Sequence, residues 1–451
     1  MVSNGIKSIH SIVSTKRGLV AITDKKQTEI FDLLLSGPMS YSQISASLGN
    51  PHYTLNKMLD NALISKDDDG LYKIDSILIF HSEMISDYQS VSIGTEKINN
   101  CILSELIVDY FIHNHFHIDN ILRLYSQDIF DKLMENNILK DIREAVDLFN
   151  ELYPKYHISF DNEQPLTVSL TGFEKDICSM KTTIFLLELM LNHIFFDNRA
   201  VITNEIHQND DDFIRVVFDH KIVAIKDTRD DRLKSLHHFA VVKQNNSYSI
   251  IDHPLQLSII SSIVNKPSTI AALSDELKNS RSTISNNIRK ISDLGIIKTH
   301  TINGLSYNYL DSDVMMLPGG GDFTDLQIDC RSTGLIMDGF FQYIRDSFIQ
   351  YNIDCKHFLI SLGAHMYGLV SEKNNPIKAI SIILDLKISI ENLIPLTYRI
   401  EHKNKYCELN DFLMIGALSM DLFIQTEMKP YFEYDTNRSD ISTIKMSIVS
   451  K

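Results

Sequence analysis

The strongest constraint on the fold of this 451-residue chain is an internal repeat. Residues 27–59 and 256–288 align without a gap, at an offset of 229 positions (256 − 27). Self-similarity at a fixed offset indicates that one structural plan is used twice. We therefore predict two units of similar plan, about 1–248 and 249–451. The identical pairs are Gln27 with Gln256, Ile30 with Ile259, Pro38 with Pro267, Ser45 with Ser274, Leu48 with Leu277, Asn50 with Asn279 and Thr54 with Thr283.

A weaker similarity continues beyond these segments. Residues 106–112 (LIVDYFI) resemble 343–349 (YIRDSFI), whereas 121–133 match 358–370 only in the positions of apolar side chains. Unrelated amphipathic helices share such a pattern. Chance matching therefore stays open as an explanation for this part of the repeat.

The second copy has the clearer local pattern. Residues 255–264, 269–278 and 281–292 carry apolar side chains at helical spacing. Pro267 separates the first two predicted helices, and Gly295 can adopt the left-handed backbone that ends the third. This copy is therefore predicted to contain three short helices.

A β-hairpin is predicted after the third helix. Asn303-Gly304 lies between two segments of alternating character, and an Asn-Gly pair favours a tight hairpin turn. The first copy fits the same order, with a third helix within 51–64 and a shorter hairpin at 66–73. Three helices followed by a two-stranded wing is the order of a winged helix-turn-helix module.

Residues 255–310 resemble the winged helix-turn-helix modules of ArsR/MarR-type transcriptional regulators. The similarity is clearest from Ser280 to Lys298, where small polar residues open the third helix and Leu-Gly-Ile-Ile leads into the wing. Residues 27–75 are similar to a second module of this type. The resemblance implies DNA reading by the third helix, although winged helices also serve protein–protein contacts.

The two predicted third helices differ outside their apolar stripes. Arg281 and Arg289 align with His52 and Asp60 of the first copy, whose wing also carries three aspartates at 67–69. Arginine reads guanine and binds phosphate, whereas carboxylates repel phosphate. We therefore expect the second copy to read duplex DNA and the first to serve dimerisation or partner contact; two purely structural spacers are the alternative. The predicted DNA-binding residues are Arg281, Ser282, Ser285, Asn286, Arg289, Lys290, Lys298 and His300.

The chain as a whole is acidic, with a formal net charge of −15 at pH 7. A protein that coats nucleic acid non-specifically needs the opposite charge, so that function is excluded. Any contact with DNA has to come from a local basic patch.

The predicted fold class is α+β and helix-rich, with an internal duplication. Each winged helix-turn-helix module is followed by a mixed α/β regulatory or dimerisation domain. The predicted domains are an N-terminal segment 1–24, a first winged-helix module 25–78, a first rear domain 79–248, a second winged-helix module 249–314, a hinge 315–331 and a second rear domain 332–451.

The rear domains are expected to bind an effector or a protein partner. Small residues at Gly363, Ala364 and Gly368, with Met366 and Tyr367, can line a ligand pocket or form a close helix–helix contact. The sequence does not identify the effector.

Catalytic and metal-binding motifs are not recognisable. The glycine-rich stretch 318–322 lacks the patterns of a phosphate-binding loop, which disfavours a methyltransferase-type enzyme and any nucleotide cofactor. His113, His115 and His117 point in different directions on a helix, whereas on a strand they would share a face. We expect no catalytic residues, no cofactor and no metal.

Cysteine spacing and hydropathy indicate the cytoplasm. The five cysteines are widely spaced and form no CxxC pair, which is typical of a reducing compartment. The most apolar stretch, 184–196, is too short and too polar to cross a bilayer. The N-terminus shows no signal peptide.

These features predict a cytoplasmic, sequence-specific DNA-binding transcriptional regulator without membrane contact. Winged-helix regulators usually grip two half-sites, so a homodimer is expected. A bound effector would change the spacing of the reading helices. The main alternative is a protein-interaction scaffold with winged helices as docking modules. The net negative charge of the chain and the absence of arginine from the first copy's third helix favour this alternative.

Overall fold

One order of helices and antiparallel strands occurs twice along the chain. The structure is a computed structural model of mixed α/β architecture. It describes residues 6–15, 18–83, 100–135, 139, 141–163, 166–173, 177–196, 201–210, 213–221, 238–244, 247–264, 266–302, 304–319, 335–370, 375–403, 407–427, 430–438 and 441–448.

The first half opens with a hairpin, three helices and a second short hairpin, here called the first three-helix unit (residues 11–81). Side chains of Asp24 and Ser40 cap its first two helices by accepting backbone N–H bonds, which satisfies donors that a helix start leaves unpaired. After strand β1 (Ile6–Ser8), its elements are β2 (Ser11–Thr15), β3 (Gly18–Ile22), α1 (Lys25–Leu35), α2 (Tyr41–Leu48), α3 (His52–Asp60), β4 (Ile64–Lys66), β5 (Tyr72–Ile74) and β6 (Ile77–His81).

The first rear unit (residues 100–221) follows as three helices, a hairpin, a long helix and a second hairpin. Its elements are α4 (Asn100–His113), α5 (Ile118–Met134), α6 (Ile142–Leu152), β7 (His157–Glu163), β8 (Leu166–Thr171), α7 (Ile177–Phe196), β9 (Val201–Asp210) and β10 (Phe213–Lys221).

The second three-helix unit (residues 240–316) repeats the order of the first. Its elements are β11 (Ala240–Gln244), β12 (Ser247–Ile251), α8 (Pro254–Ile263), β13 (Ser268–Thr269), α9 (Ile270–Glu276), α10 (Arg281–Ser292), β14 (Ile297–Ile302), β15 (Leu305–Leu310) and β16 (Asp313–Met316).

The second rear unit (residues 336–448) repeats the order of the first rear unit after a 3-10 turn at Ile336–Gly339. Its elements are α11 (Phe340–Gln350), α12 (Cys355–Val370), α13 (Pro376–Ile383), β17 (Leu386–Leu393), β18 (Leu396–His402), α14 (Glu408–Thr426), β19 (Pro430–Arg438) and β20 (Ile441–Ile448).

Strand orders in the two halves match. The rear sheets run β7-β8-β10-β9 and β17-β18-β20-β19, and every pairing is antiparallel. In each three-helix unit the last strand returns to the opening hairpin, β6 onto β2 and β16 onto β11. Strand β1 pairs with β12 and so adds an N-terminal strand to the sheet of the second half.

The junction between each three-helix unit and its rear unit also repeats. Phe80 forms an isolated antiparallel bridge with Phe116, as Pro318 does with Ile353. Both bridges join the end of the returning strand to the turn between the first two rear helices. The two halves therefore share the contact between three-helix unit and rear unit as well as the order of helices and strands.

Apolar side chains of the described residues form three separate cores. Phe31 and Leu55 lie in the core of the first three-helix unit, and Ile259 and Ile284 in that of the second. The third core combines side chains of both rear units. Burial of each such side chain contributes about 1.5–3 kcal/mol, so the rear units stabilise one another.

Buried hydrogen bonds also connect the two rear units. The Tyr125 hydroxyl donates to the Ile336 carbonyl at 2.7 Å, and the Ser104 hydroxyl donates to the Met337 carbonyl at 2.7 Å. Because buried polar groups need partners, these bonds fix the 3-10 turn against α4 and α5.

Local elements of the second three-helix unit were predicted correctly. The bounds of α10 coincide with the predicted helix 281–292, and β14 pairs with β15 in the predicted hairpin. Strand β12 crosses the predicted boundary between 248 and 249 and pairs with β11. Residues 320–331 of the predicted hinge lie outside the described residues.

Within the described ranges, no helix has both the length and the apolar character that a membrane span requires. The apolar stretch 184–196 forms the C-terminal part of α7. Its residues Leu186 and Met190 are fully buried in the rear core.

Candidate nucleic-acid interface and the adjoining cleft

Helix α10 has one buried side and one side that faces solvent. Ile284, Ile288 and Ile291 are at most 5% exposed and pack in the core of the second three-helix unit. The Ser280 hydroxyl caps the helix by accepting from the Thr283 N–H at 3.2 Å. The buried isoleucines fix the rotation of α10 and the Ser280 cap fixes its start, so together they determine which side chains of the helix face solvent.

The solvent side of α10 carries six of the eight predicted DNA-binding residues. In the described part of the chain, no carboxylate lies within ion-pair distance of Arg281, Arg289 or Lys290. These cations can therefore approach phosphate or base edges without first breaking an ion pair to a described residue. The six exposed residues are Arg281, Ser282, Ser285, Asn286, Arg289 and Lys290.

The other two predicted residues, Lys298 and His300, lie on β14. The Lys298 ammonium is 2.7 Å from a carboxylate oxygen of Asp311, the residue that follows β15. That hydrogen bond and charge raise the pKa of Lys298 above its usual value. Both residues line a cleft against the rear units, and none of the six α10 residues does. The predicted set of eight is thus divided between two surfaces.

Helix α3 of the first three-helix unit presents a different surface. Tyr53 is 81% exposed, and the Asn56 side chain is bonded to Nδ1 of His52 at 3.2 Å. Lys57 is the one permanent cation on the exposed side of α3, against Arg281, Arg289 and Lys290 on α10.

The hairpin turn between β4 and β5 is acidic. The Asp67 carboxylate accepts the Leu71 N–H at 2.8 Å, so this residue shapes the turn. Asp68 and Asp69 are exposed. Two exposed carboxylates at the tip of the hairpin give this end of the first unit a negative surface.

A cleft of about 1070 Å³ lies between the β14–β15 hairpin, α4 and the second rear unit. A volume of this size is at the upper end of the range for small-molecule sites. Its apolar lining includes Ile360, Met420, Phe423 and Phe432, and its charged lining includes Lys243, Lys298, Asp311, Asp313 and Glu427.

Histidines and a half-buried lysine set the electrostatics of the cleft. Nε2 of His365 is 2.6 Å from a carboxylate oxygen of the buried Asp109. Burial, and next the nearby His365, lower the pKa of His113, which favours its neutral form. The Lys243 ammonium donates to Asn114 Oδ1 at 3.1 Å, and burial lowers its pKa. The cleft therefore combines apolar surface with hydrogen-bonding groups.

The predicted pocket residues Gly363, Met366 and Tyr367 lie where α12 packs against α14. A Cβ atom at Gly363 would stand 1.9 Å from the Leu413 carbonyl oxygen, so this approach requires glycine. Met366 is 0% and Tyr367 6% exposed. None of the three lines the cleft. Gly363 therefore serves helix packing, whereas the small residues Ala364 and Gly368 of the same helix line the cleft.

His113, His115 and His117 surround the turn between α4 and α5. His115 adopts a left-handed backbone with φ 63°. Nδ1 of His117 accepts the Asn120 N–H at 3.3 Å, which caps α5. Among the described residues, these three do not form a group of converging metal-ligand atoms.

Cys355 is buried at the start of α12. Burial raises the pKa of its thiol to about 12. Because the thiolate is the reactive form, this burial disfavours reaction of the thiol at neutral pH. Cys330 and residues 320–322 of the glycine-rich stretch lie outside the described residues.

Comparison with known proteins gives no relative: no family model, no curated protein and no solved structure matches this chain. A function has to be argued from the surfaces described above.

Proposed function

We propose that this protein is a sequence-specific DNA-binding transcriptional regulator, and that its second three-helix unit reads the DNA. The observation that carries the proposal is the exposed face of α10. There Arg281, Arg289 and Lys290 have no carboxylate partner among the described residues. Arginine pairs with guanine and phosphate, and Asn286 on the same helix offers the amide that pairs with adenine.

The element order supports a winged helix-turn-helix module of the ArsR/MarR type. Helices α8, α9 and α10 precede the β14–β15 hairpin, and the short strand β13 pairs with β15. In the first unit Met39 bridges to Tyr72 at the equivalent place. Such modules place the third helix in the major groove. We infer a tandem pair that arose by internal duplication.

The charge distribution supports specific over non-specific binding. The chain carries 58 acidic and 43 basic residues, counting Asp, Glu, Lys and Arg. Long-range repulsion between the acidic surface and phosphate lowers affinity for arbitrary DNA. A site whose bases match α10 gains short-range contacts that offset this repulsion.

The first three-helix unit fits protein contact better than DNA contact. Its exposed Tyr53 belongs to the residue types that interfaces favour, and the exposed Asp68 and Asp69 oppose phosphate. We propose that this unit serves dimerisation or a protein partner. A scaffold in which both units are docking modules is the second candidate function, and this same surface favours it.

The cleft offers a place for effector control. It lies between the β14–β15 hairpin of the proposed DNA reader and helices of both rear units. A small molecule with apolar and polar groups that bound there would contact both the proposed DNA reader and the rear units. If the molecule favours one orientation of the DNA reader relative to the rear units, it changes the fraction of protein molecules that can bind DNA.

The test of DNA reading uses the full-length protein and duplexes selected by it from a random-sequence library. Binding is measured by fluorescence anisotropy over a range of salt concentrations. The double variant Arg281→Ala/Arg289→Ala is expected to bind the selected duplex at least about tenfold more weakly, since each base contact contributes about 1–3 kcal/mol. Each lost phosphate contact lowers the salt slope by about one.

The matched control is His52→Ala/Asp60→Ala, which changes the equivalent positions of α3. We expect its affinity and salt slope to equal those of the unmodified protein. Equal binding by the Arg281→Ala/Arg289→Ala variant would refute the assignment of α10. Two results together would favour the scaffold: the library yields no duplex, and the Tyr53→Ala variant loses binding to a protein partner that the unmodified protein binds.

The cleft is tested with anilinonaphthalene sulfonate, an apolar ring system with an anionic group, as a fluorescent probe. Gly368→Leu fills the cleft, and a Cβ atom at this position meets nothing within 4 Å. We expect this variant to bind the probe more weakly while its thermal unfolding stays unchanged. If Gly368→Leu and the unmodified protein give the same probe fluorescence, the probe does not bind in the cleft and the proposed effector site is wrong.

A further inference from the structure

Three side chains of metal-binding type converge where the link between β1 and β2 meets the first three-helix unit, apart from the surfaces used above. Nε2 of His10 is 3.0 Å from Oδ1 of Asp32. One ligand atom from each of His10, Asp32 and His81 lies within 4.8 Å of the other two. The rings of His10 and His81 meet edge to face, with centroids 4.5 Å apart. No other three His, Cys, Asp or Glu side chains converge in this way within the described ranges.

Two of the ligands lie in regular structure, and the third, His10, lies between β1 and β2 and is held by backbone hydrogen bonds. The His10 N–H donates to the Ile22 carbonyl at 3.0 Å, and the His10 carbonyl accepts the Ser82 N–H at 2.9 Å. Asp32 lies in α1, and His81 is the last residue of β6. Sites built on helices and strands keep their geometry better than sites on loops.

A buried hydroxyl orients one of the two imidazoles. Oγ of Ser11, which is 0% exposed, lies 3.0 Å from Nδ1 of His81. Metal-bound histidines commonly use the second ring nitrogen for such a bond, which leaves Nε2 to act as ligand.

We propose that His10, Asp32 and His81 bind one divalent transition-metal ion, with zinc as the ion that best suits the ligands. Zinc takes imidazole nitrogen and carboxylate oxygen at about 2.0–2.2 Å, which separates tetrahedral ligand atoms by about 3.4 Å. The His10–Asp32 distance is already close to this value. Rotation of the His81 side chain closes the remaining gap, and water occupies the fourth position.

The second three-helix unit has no such ligand set. The equivalent residues are Phe239 and Ser261, by the offset of 229, and Gly319, by the repeated junction bridges. The shared fold therefore does not require the cluster for its own stability. A bound ion would tie α1 to the end of β6, and so connect the first three-helix unit to its junction with the rear unit.

The test is a zinc titration of the metal-stripped, full-length protein by isothermal calorimetry. The conservative variants Asp32→Asn and His10→Gln are each expected to lower the affinity of this site at least tenfold. Ser11→Ala is expected to weaken binding by about 10–100-fold, as loss of an orienting partner does. Cobalt(II), used as a spectroscopic probe, should give the visible bands of a four-coordinate ion, and each ligand variant should lose them.

The matched control is His52→Ala, a histidine of the same unit outside the cluster, which should bind zinc and cobalt like the unmodified protein. Circular dichroism in the presence of a chelator establishes that each variant is folded. Equal zinc affinity and equal cobalt spectra for the unmodified protein, Asp32→Asn and His10→Gln would overturn the proposal. The cluster would then be an ordinary histidine–aspartate ion pair. This outcome is independent of the DNA-binding assays.

Discussion

The two three-helix units are alike in what they bury and different in what they expose. Leu55 of α3 and Ile284 of α10 occupy equivalent positions and are 1% and 0% exposed. One position further along, Asn56 is exposed in the first unit and Ser285 in the second. Four positions beyond these, Asp60 stands where Arg289 stands in the second unit.

The difference separates fold from function. Buried positions are restricted to apolar side chains of suitable size, because a change there leaves a cavity or an unpaired polar group. Exposed positions carry no such restriction, so charge and aromatic content can change while the fold persists. The proposed roles, DNA reading for the second unit and partner contact with metal binding for the first, rest on this difference.

The largest expected effect tests the shared core. Leu55→Ala and Ile284→Ala should each lower the free energy of unfolding by about 2–5 kcal/mol, because each leaves a cavity in a closed core. Urea unfolding of the full-length protein measures this loss. Only Ile284→Ala should also weaken DNA binding. A loss of DNA binding in Leu55→Ala alone would reverse the roles of the two units.

A smaller effect is expected from the acidic hairpin of the first unit. Asp69→Lys should raise the affinity for duplex DNA severalfold and steepen its salt dependence by up to about one, because a repulsive charge becomes an attractive one. The comparison is with Glu391→Lys, the same charge change on an exposed strand of the second rear unit. Equal gains in the two variants would show that only the net charge matters.

The smallest effect concerns Lys298. Its ion pair with Asp311 is partly exposed, with side-chain exposures of 59% and 35%. Lys298→Ala should therefore lower the free energy of unfolding by less than about 1 kcal/mol, and the salt slope of DNA binding should not change. If the salt slope of DNA binding instead falls by about one in Lys298→Ala, Lys298 contacts a phosphate of the DNA.

Local signals explain which elements were predictable. Helix α10 was predicted to the residue because its apolar spacing, the capping Ser280 and the left-handed Gly295 (φ 75°) all lie within one segment. Strand β17 was not predicted: Leu386, Ile388 and Ile390 alternate with polar side chains, but the run is short and its side chains are largely exposed. The alternating segment 237–251 was interpreted as strands of the first rear domain, whereas β11 and β12 open the second three-helix unit. This hairpin matches β2–β3 in register and not in identity, so the repeat did not reveal its place.

Long-range contacts explain what the sequence could not show. The cleft brings together residues as distant as Tyr110, Lys243 and Phe432, and no periodicity connects them. The same holds for His10, Asp32 and His81, whose convergence depends on strand register and helix packing. The role of Gly363 was open because small residues suit both a pocket and a close helix contact.

The most direct test of the account compares the two units at one equivalent position. A genetically encoded benzophenone is placed at position 285 of α10 or at position 56 of α3, and the full-length protein is irradiated with its selected duplex. DNA reading by α10 predicts covalent protein–DNA products from position 285 and background levels from position 56. Crosslinks from position 56 alone, or from neither position at saturating DNA, would contradict it.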